Sequence, residues 1–234
     1  MTLRLVSYNV HKCVGLDRRR RPDRIAAVLA RLHADVIALQ EVDHRLGPRP
    51  AALGRDLAEH ATGLATLPFS LGQFSMGWHG QTILVRRDFA VDGIHRLELP
   101  GLEPRGALIA ELSGPDGPFR IVATHLGLLA RSRKLQFSAI RASLSHRRAL
   151  PTILLGDFNE WSLRGGSAAL GPEFRTHTPG PSFPAARPVA RLDRISVGYG
   201  AHLTDAGTYD SRTARIASDH LPIWAEVGLN RTAP

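Results

Sequence analysis

Short apolar runs alternate along the chain with amphipathic segments. In the first amphipathic segment Ile25, Val28 and Leu32 recur at the spacing of one helix face, after a proline suited to a first helical turn. A Pro-rich stretch over 171–188 reads as a loop, and no linker divides the chain into two cores. The pattern predicts helices over 22–33, 50–62 and 130–147, and strands over 4–10, 35–41, 81–86, 106–112, 119–125, 152–155, 192–197 and 222–227.

Length and composition narrow the class of protein. At about 150 residues per domain, 234 residues favour one large domain, and we expect it to span 1–234. The single cysteine, Cys13, excludes a disulfide framework and a multi-cysteine zinc ribbon. No stretch approaches the roughly 18–20 apolar residues of a membrane span, and the first residues lack the layout of a signal peptide. We therefore expect a globular protein of the cytoplasm without a transmembrane segment.

The charge is strongly positive, since 30 Lys and Arg face 21 Asp and Glu, a formal net charge of +9. Such an excess favours polyanionic partners, which include nucleic acid, anionic lipid and phosphorylated metabolites. Only Lys12 and Lys134 are lysines, so arginine carries nearly all of the positive charge. Because a bias in coding composition would produce the same excess, the global charge leaves both interpretations open.

Polar residues with oxygen or imidazole donors follow or precede several of the predicted strands. Buried strands direct their ends to one edge of a sheet, so these side chains can converge although they are distant in sequence. Carboxylate and amide oxygens suit a hard divalent cation, Mg²⁺ or Mn²⁺, and a neighbouring histidine can bind or protonate the same phosphate. Taken singly, such a residue is more often a cap, a turn former or a structural histidine than a ligand. The residues are Asn9, Glu41, His125, Asp157, Asn159, Asp219 and His220.

Six short motifs follow one another at these positions. They are Ser7-Tyr8-Asn9-Val10, Leu39-Gln40-Glu41-Val42, Ala123-Thr124-His125-Leu126, Leu155-Gly156-Asp157-Phe158-Asn159, Leu192-Asp193-Arg194-Ile195 and Ser218-Asp219-His220-Leu221-Pro222. In this order they resemble the endonuclease/exonuclease/phosphatase superfamily, which includes deoxyribonucleases, abasic-site endonucleases, neutral sphingomyelinases and inositol polyphosphate 5-phosphatases. The resemblance covers nearly the whole chain. It implies an α/β fold, a four-layer sandwich of two mixed β-sheets packed face to face with helices on the outer faces.

The same resemblance implies a metal site and a position for the attacking water. Glu41 corresponds to the principal metal ligand, with Asn9 beside it and Asp219 as a second ligand. Asp157 corresponds to the residue that positions or activates the water. Asn159 corresponds to a group that orients the water and the phosphate.

A second set of residues is implied for the phosphate. His220 corresponds to the histidine that contacts the scissile phosphate, and Asp193 to the carboxylate that orients it. His125 corresponds to a second phosphate-binding histidine, and Arg105 to an arginine near the phosphate. The chain departs from the pattern at His11, where some nucleases carry an aspartate near the metal. Since imidazole is a softer ligand than carboxylate, His11 leaves the metal preference open, and we count it among the substrate-binding candidates.

Accessory residues extend the candidate site. The run Arg18-Arg19-Arg20-Arg21 follows the first strand and is either a docking patch for non-scissile phosphates, through Arg18 and Arg19, or a solvated charge run. Trp161, two residues after Asn159, can stack on a base or sugar or pack at the rim of a core.

The sequence thus predicts a divalent-metal-dependent phosphodiesterase that cleaves P–O bonds with a metal-activated water. Nucleic acid is the preferred substrate because of the positive charge. A phospholipid headgroup at a membrane surface, or a small phosphoester, is the first alternative, and a non-catalytic module that binds polyanions is the second. The oligomeric state stays open.

Overall fold

Strands and helices alternate along the chain in a computed structural model that describes residues 2–44, 47–162 and 166–230. The strands are β1 (Thr2–Asn9), β2 (Val36–Gln40), β3 (Ala65–Thr66), β4 (Gln81–Val85), β5 (Ala90–Leu99), β6 (Arg105–Gly114), β7 (Gly117–His125), β8 (Thr152–Asp157), β9 (Phe174–His177), β10 (Asp193–Gly198), β11 (Ala201–Thr208) and β12 (Ile223–Leu229). The helices are α1 (Pro22–Leu29), α2 (Arg55–Thr62), α3 (Ala130–Ser145) and α4 (Arg212–Ala217), with 3-10 turns at His11–Cys13 and Gly166–Leu170. Within the described ranges, no helix is both long and apolar enough to cross a bilayer.

The strands form two mixed sheets. One sheet has the order β11-β12-β1-β2-β4-β3 and the other has the order β5-β6-β7-β8-β10-β9. In the first sheet β1 and β2 are parallel, with Asn9 opposite Gln40. In the second sheet β7 and β8 are parallel, with His125 opposite Asp157. Each sheet therefore contributes one parallel pair, and the carboxyl ends of these pairs carry the polar motifs.

The central strands are apolar on both faces because the sheets are covered on both sides there. In β2, Val36 and Ala38 belong to the core between the sheets, whereas Ile37 and Leu39 pack on the helical side with α1. On the second sheet, Phe137 of α3 packs in a third cluster with residues of β6, β7 and β8. The layers run helix, sheet, sheet, helix, which confirms the four-layer sandwich. The prediction of one domain over 1–234 includes residues 1, 45–46, 163–165 and 231–234, outside the described part, and stays a prediction.

Several elements differ from the sequence prediction. The strands β5 and β11 were absent from it because both are half exposed, so they lack a continuous apolar run. The strand β9 lies inside the Pro-rich stretch 171–188, which the sequence predicts to be a loop. The second helix begins at Arg55 and not at residue 50, since Ala52 and Leu53 donate backbone hydrogen bonds to the Val42 carbonyl and Gly54 precedes the first turn.

Candidate active site

A cavity of about 480 Å³ opens at the edge where the two parallel pairs end. Asn9 ends β1, Glu41 follows β2, His125 ends β7 and Asp157 ends β8. The carboxyl ends of parallel neighbours meet at one edge of a sheet, so these side chains reach one space. The structure brings together all seven strand-end residues in its lining: Asn9, Glu41, His125, Asp157, Asn159, Asp219 and His220.

Asp157 lies at the centre of this group, and its carboxylate is almost completely buried. Its Oδ2 accepts a hydrogen bond of 3.1 Å from Asn9 Nδ2. The same oxygen lies 3.5 Å from His125 Nε2 and 3.7 Å from His220 Nε2. Its Oδ1 accepts the backbone N–H of Asn159 at 2.9 Å. One carboxylate thus links both sheets and both candidate histidines.

Gly156 permits this placement of Asp157. A Cβ atom built on Gly156 would lie 1.8 Å from the carbonyl oxygen of Thr124 on β7, and φ of Gly156 is +153°. Only glycine tolerates so close an approach of a neighbouring backbone. The glycine of the Gly-Asp-Phe-Asn motif therefore serves the register that sets Asp157 opposite His125.

His220 is paired with a buried carboxylate. Its Nδ1 lies 2.8 Å from Asp193 Oδ2, which also accepts the Ser182 hydroxyl at 2.5 Å. Asp193 begins β10, directly opposite Asp157 on β8. Burial lowers the pKa of His220, but the charges of Asp193 and Asp157 and the hydrogen bond to Asp193 outweigh it and raise this pKa to about 10. At neutral pH His220 is an imidazolium whose Nε2 side faces Asp157.

His125 is in the opposite state. Burial dominates and lowers the pKa of its imidazole to about 4, although the charge of Asp157 acts in the other direction. The ring is therefore neutral at neutral pH, with one nitrogen available as an acceptor. Two histidines on either side of one carboxylate thus have different protonation states, an arrangement typical of acid–base sites.

Glu41 already contacts a cation of the protein itself. Its carboxylate forms an ion pair with the Lys12 ammonium, and its backbone carbonyl accepts the Lys12 N–H at 2.9 Å. His11, Lys12 and Cys13 all have positive φ values, of 46°, 54° and 59°, a left-handed turn that is uncommon for residues other than glycine. Glu41 has φ of 57°. This unusual backbone brings the ammonium onto the carboxylate.

The donors at this end of the cavity fit a hard divalent cation. The carboxylates of Glu41 and Asp219 and the amide of Asn9 line the same space, and oxygen donors of this kind suit Mg²⁺ or Mn²⁺. The ion pair shows that the Glu41 carboxylate attracts a cation, and a metal bound there would take the place of the Lys12 ammonium. A second group that could hold a metal comprises Asp157, Asp193 and His220, whose donor atoms lie within 4.8 Å of one another. Asp193 Oδ2 is already bonded to His220 Nδ1 and to the Ser182 hydroxyl, however, so the Glu41 end is the better match.

Two of the accessory candidates line the cavity. Arg105 does so, and its Nε donates to Glu103 at 3.1 Å. Trp161 is 66% exposed and stands edge-on to Phe183, with ring centroids 6.1 Å apart. Phe183 in turn lies 5.0 Å from the His220 ring. An aromatic wall thus extends from the imidazolium to the cavity mouth.

Three other accessory candidates lie outside the cavity lining. His11 Nδ1 is 3.0 Å from the Val14 carbonyl oxygen and 3.7 Å from Asp219 Oδ1. Arg18 and Arg19 are exposed on the loop between the first 3-10 turn and α1. His11 is therefore adjacent to a candidate metal ligand, whereas the arginine run lies outside the cavity wall.

Four ionisable residues in the lining were absent from the sequence prediction of the site: Asp43, His44, Arg49 and Glu103. The first two continue the Gln-Glu-Val motif, so reading that motif two residues further would have found them. Asp43 accepts the backbone N–H groups of Met76 and Gly77, which makes it a loop anchor. No sequence pattern marks Arg49 or Glu103.

Comparisons with known proteins agree with this geometry. The chain matches the model of the endonuclease/exonuclease/phosphatase family over residues 6–220, whereas no curated protein matches it. A functionally unknown conserved protein from Enterococcus faecalis superposes with a TM-score of 0.78 at 20% identity, covering 97% of this chain and 100% of that one. A mannosyl-6-phosphatase from Bacteroides thetaiotaomicron gives 0.73 at 19% identity, over 97% and 100%. TDP2 from D. rerio, complexed with a single-strand DNA product, gives 0.75 at 18% identity, over 97% and 99%. The family match over most of its length shows that this chain belongs to the endonuclease/exonuclease/phosphatase family.

Proposed function

We propose that the protein is a phosphodiester hydrolase that uses water as the nucleophile and a divalent cation, Mg²⁺ or Mn²⁺, as cofactor. The observation that carries the proposal is the position of Asp157, whose carboxylate lies between a charged and a neutral histidine in one cavity. A module that only binds polyanions has no need of this acid–base arrangement. We therefore place the non-catalytic alternative behind hydrolysis.

Glu41, Asn9 and Asp219 would hold the cation. When bound there, a divalent cation neutralises charge on the phosphate and lowers the pKa of water. His11 lies beside Asp219 and would act on the cation through that carboxylate, because its Nδ1 faces the Val14 carbonyl and the Asp219 carboxylate.

Asp157 would accept a proton from the attacking water. Its Oδ2 lies 3.5 Å from His125 Nε2 and 3.7 Å from His220 Nε2, so the carboxylate is placed to exchange a proton within the cavity. Asn159 would orient the same water and the phosphate. Its backbone is fixed by the hydrogen bond to Asp157 Oδ1, and its Nδ2 donates to the Leu126 carbonyl at 2.8 Å.

His220 would bind the scissile phosphate and protonate the leaving oxygen. Asp193 keeps the ring protonated and holds the proton on Nδ1 after Nε2 has donated its own, as the carboxylate of a catalytic triad does. The neutral His125 would donate or accept a hydrogen bond at a phosphate oxygen, and Arg105 would add positive charge on the same wall. The negative charge on the phosphoryl oxygens in the transition state would thus lie near two cationic side chains, those of His220 and Arg105.

The cavity mouth bears on the substrate class. The positive charge of the protein favours nucleic acid as substrate. Arg18 and Arg19, however, which were expected to hold distant phosphates, lie outside the cavity lining. Leu128 and Trp161 line the cavity instead. The structural neighbours include both a sugar phosphatase and a protein bound to a DNA product. We propose a phosphodiester with an apolar portion beside the phosphorus, and nucleic acid becomes the alternative.

Turnover of bis(p-nitrophenyl) phosphate tests the proposal. We expect hydrolysis with Mg²⁺ or Mn²⁺, loss of hydrolysis in chelator, and loss in Asp157→Asn. A panel of single- and double-stranded nucleic acids, phospholipids and sugar phosphates then assigns the substrate. If the protein bound vesicles or polyanions but hydrolysed no member of the panel with any metal, the binding-module alternative would be favoured.

A further inference from the structure

Four large apolar side chains are exposed beside the cavity mouth. Leu102 is 87% exposed, Trp161 66%, Leu128 61% and Leu129 54%. Leu128 and Trp161 line the cavity, and so do Glu103 and Pro104, which follow Leu102. We call these four residues the apolar rim. Exposed apolar clusters next to a site mark a binding surface more often than isolated exposed leucines do.

Buried polar side chains of α3 hold the rim in place. Gln136 accepts the Gly127 N–H at 2.9 Å and donates to the Pro100 carbonyl at 3.0 Å. Arg133 donates to the Leu128 carbonyl at 2.5 Å and forms an ion pair with Glu160 at 3.2 Å. The segments that carry Leu102, Leu128–Leu129 and Trp161 are therefore fixed to one helix. The backbone of these segments cannot move towards the core without breaking these bonds.

Positive charge follows the rim directly. Arg131 and Lys134 are exposed in the first turns of α3, and neither forms an ion pair with another residue in the part of the chain that the structure describes. The helix sequence from Ala130 to Ser145 contains no acidic residue. Leucines and a tryptophan beside unpaired cations form the pattern of proteins that lie on anionic lipid surfaces.

We propose that the apolar rim docks on an anionic phospholipid bilayer and brings the cavity to lipid headgroups. This inference rests on the proposed function and adds its substrate class, the phosphodiester of a phospholipid headgroup. Water oxygen would bond to phosphorus, the P–O bond to one alcohol would break, and the proton from water would end on that alcohol. Single-stranded nucleic acid is the weaker occupant, since it binds by stacking on aromatic faces and the three leucines of the rim have none.

Vesicle binding in chelator tests docking without turnover. Co-sedimentation would compare vesicles of phosphatidylcholine with vesicles of phosphatidylcholine and phosphatidylglycerol at about 3:1. We expect preference for the anionic vesicles and at least a tenfold loss of affinity in the double variant Leu102→Ser/Leu129→Ser, because both side chains leave water on docking. Arg131→Ser/Lys134→Ser should lose about fivefold per cation and most of the salt dependence.

Two controls separate docking from general damage. Leu102→Ile/Leu129→Ile keeps the apolar area, and Val91→Ser changes an exposed side chain of β5 at the end remote from Arg105. Both should bind vesicles within about twofold of the unaltered protein. Circular dichroism and melting curves check the fold of every variant.

Three results would overturn the inference: no binding to anionic vesicles, equal loss in the serine and isoleucine variants, or oligonucleotide binding that falls with the rim variants while vesicle binding does not. Turnover of the soluble chromogenic diester is measured alongside. It should be unchanged in Leu102→Ser/Leu129→Ser, because neither side chain lines the cavity. Absence of that turnover in the unaltered protein would refute the proposed hydrolysis, whereas its presence without vesicle binding would refute docking alone.

Discussion

Replacement of Asp193 by asparagine removes the negative charge of the Asp193–His220 pair and keeps a side chain of nearly the same shape. The carboxylate is buried and accepts hydrogen bonds from His220 and from Ser182. Without its charge, burial should outweigh more of the remaining effects and lower the pKa of His220 well below 10, although Asp157 still acts to raise it. The stabilisation that the carboxylate gives to the charged ring is lost, so Asp193→Asn should unfold at lower urea concentration than the unaltered protein at neutral pH.

The rate of hydrolysis should fall because a smaller fraction of His220 is protonated in this variant. A positioned acid contributes about 10²–10⁴-fold, so Asp193→Asn should lose about that much at pH 8, and His220→Asn and the double variant should lose no more. The assay is chromogenic turnover from pH 6 to 10, with the His220 ring followed by NMR in the metal-free protein. In Asp193→Asn the fall in rate at alkaline pH should begin about two or more pH units lower, in line with the pKa shift. An unchanged profile, or additive losses, would refute the reasoning.

The same pair predicts a pH dependence of stability. The folded-state pKa of His220 is raised from 6.5 to about 10, so the stabilisation is fully present below pH 6.5 and is lost as the pH rises through 10. Urea unfolding between pH 6.5 and 10 should show this decline in the unaltered protein. Asp193→Asn should flatten it. A decline of the same slope in both proteins would exclude the pair as its source.

Three other predictions follow from the same geometry. Glu41→Gln should weaken Mg²⁺ binding in calorimetry and remove most turnover while the melting curve stays cooperative, because a neutral amide attracts a hard cation less than a carboxylate does; unchanged binding would exclude Glu41 as a ligand. Gly156→Ala should cost about 3 kcal/mol or more in urea unfolding, since its Cβ meets a neighbouring carbonyl, whereas Gly54→Ala, with open space around it, should cost far less. Arg18→Ala/Arg19→Ala should leave turnover of the small diester unchanged. If the salt dependence of oligonucleotide binding fell in this variant by the equivalent of about two phosphate contacts, the docking-patch interpretation would be supported instead.

Much of the fold was predictable because burial leaves a direct trace in sequence. The strands β2, β7 and β8 are covered on both faces, so their residues form continuous apolar runs. The strands β5 and β11 are exposed on one side and carry charged residues, so their pairing depends on neighbours that no local pattern reveals. The arrangement of the two sheets came from the resemblance of the motifs, not from periodicity.

The candidate site divides in the same way. Residues at strand ends, such as Asn9 and Asp157, were predictable because a strand fixes where its last side chain points. The ion pair between Lys12 and Glu41 depends on a left-handed turn, and the different protonation states of His125 and His220 depend on burial and on neighbours in space. The three leucines of the apolar rim were not predicted for a related reason, since leucines in loops reveal their exposure only once the loops are placed.

Hydrolysis in ¹⁸O-labelled water tests the central claim most directly. A chromogenic phosphodiester would be incubated with the protein and Mg²⁺, and the product examined by ³¹P NMR for the isotope shift. The account predicts one ¹⁸O atom on phosphorus, none in the released phenol, and no product in chelator or with Asp157→Asn. Label in the phenol, or turnover that survives both the chelator and the substitution, would contradict it.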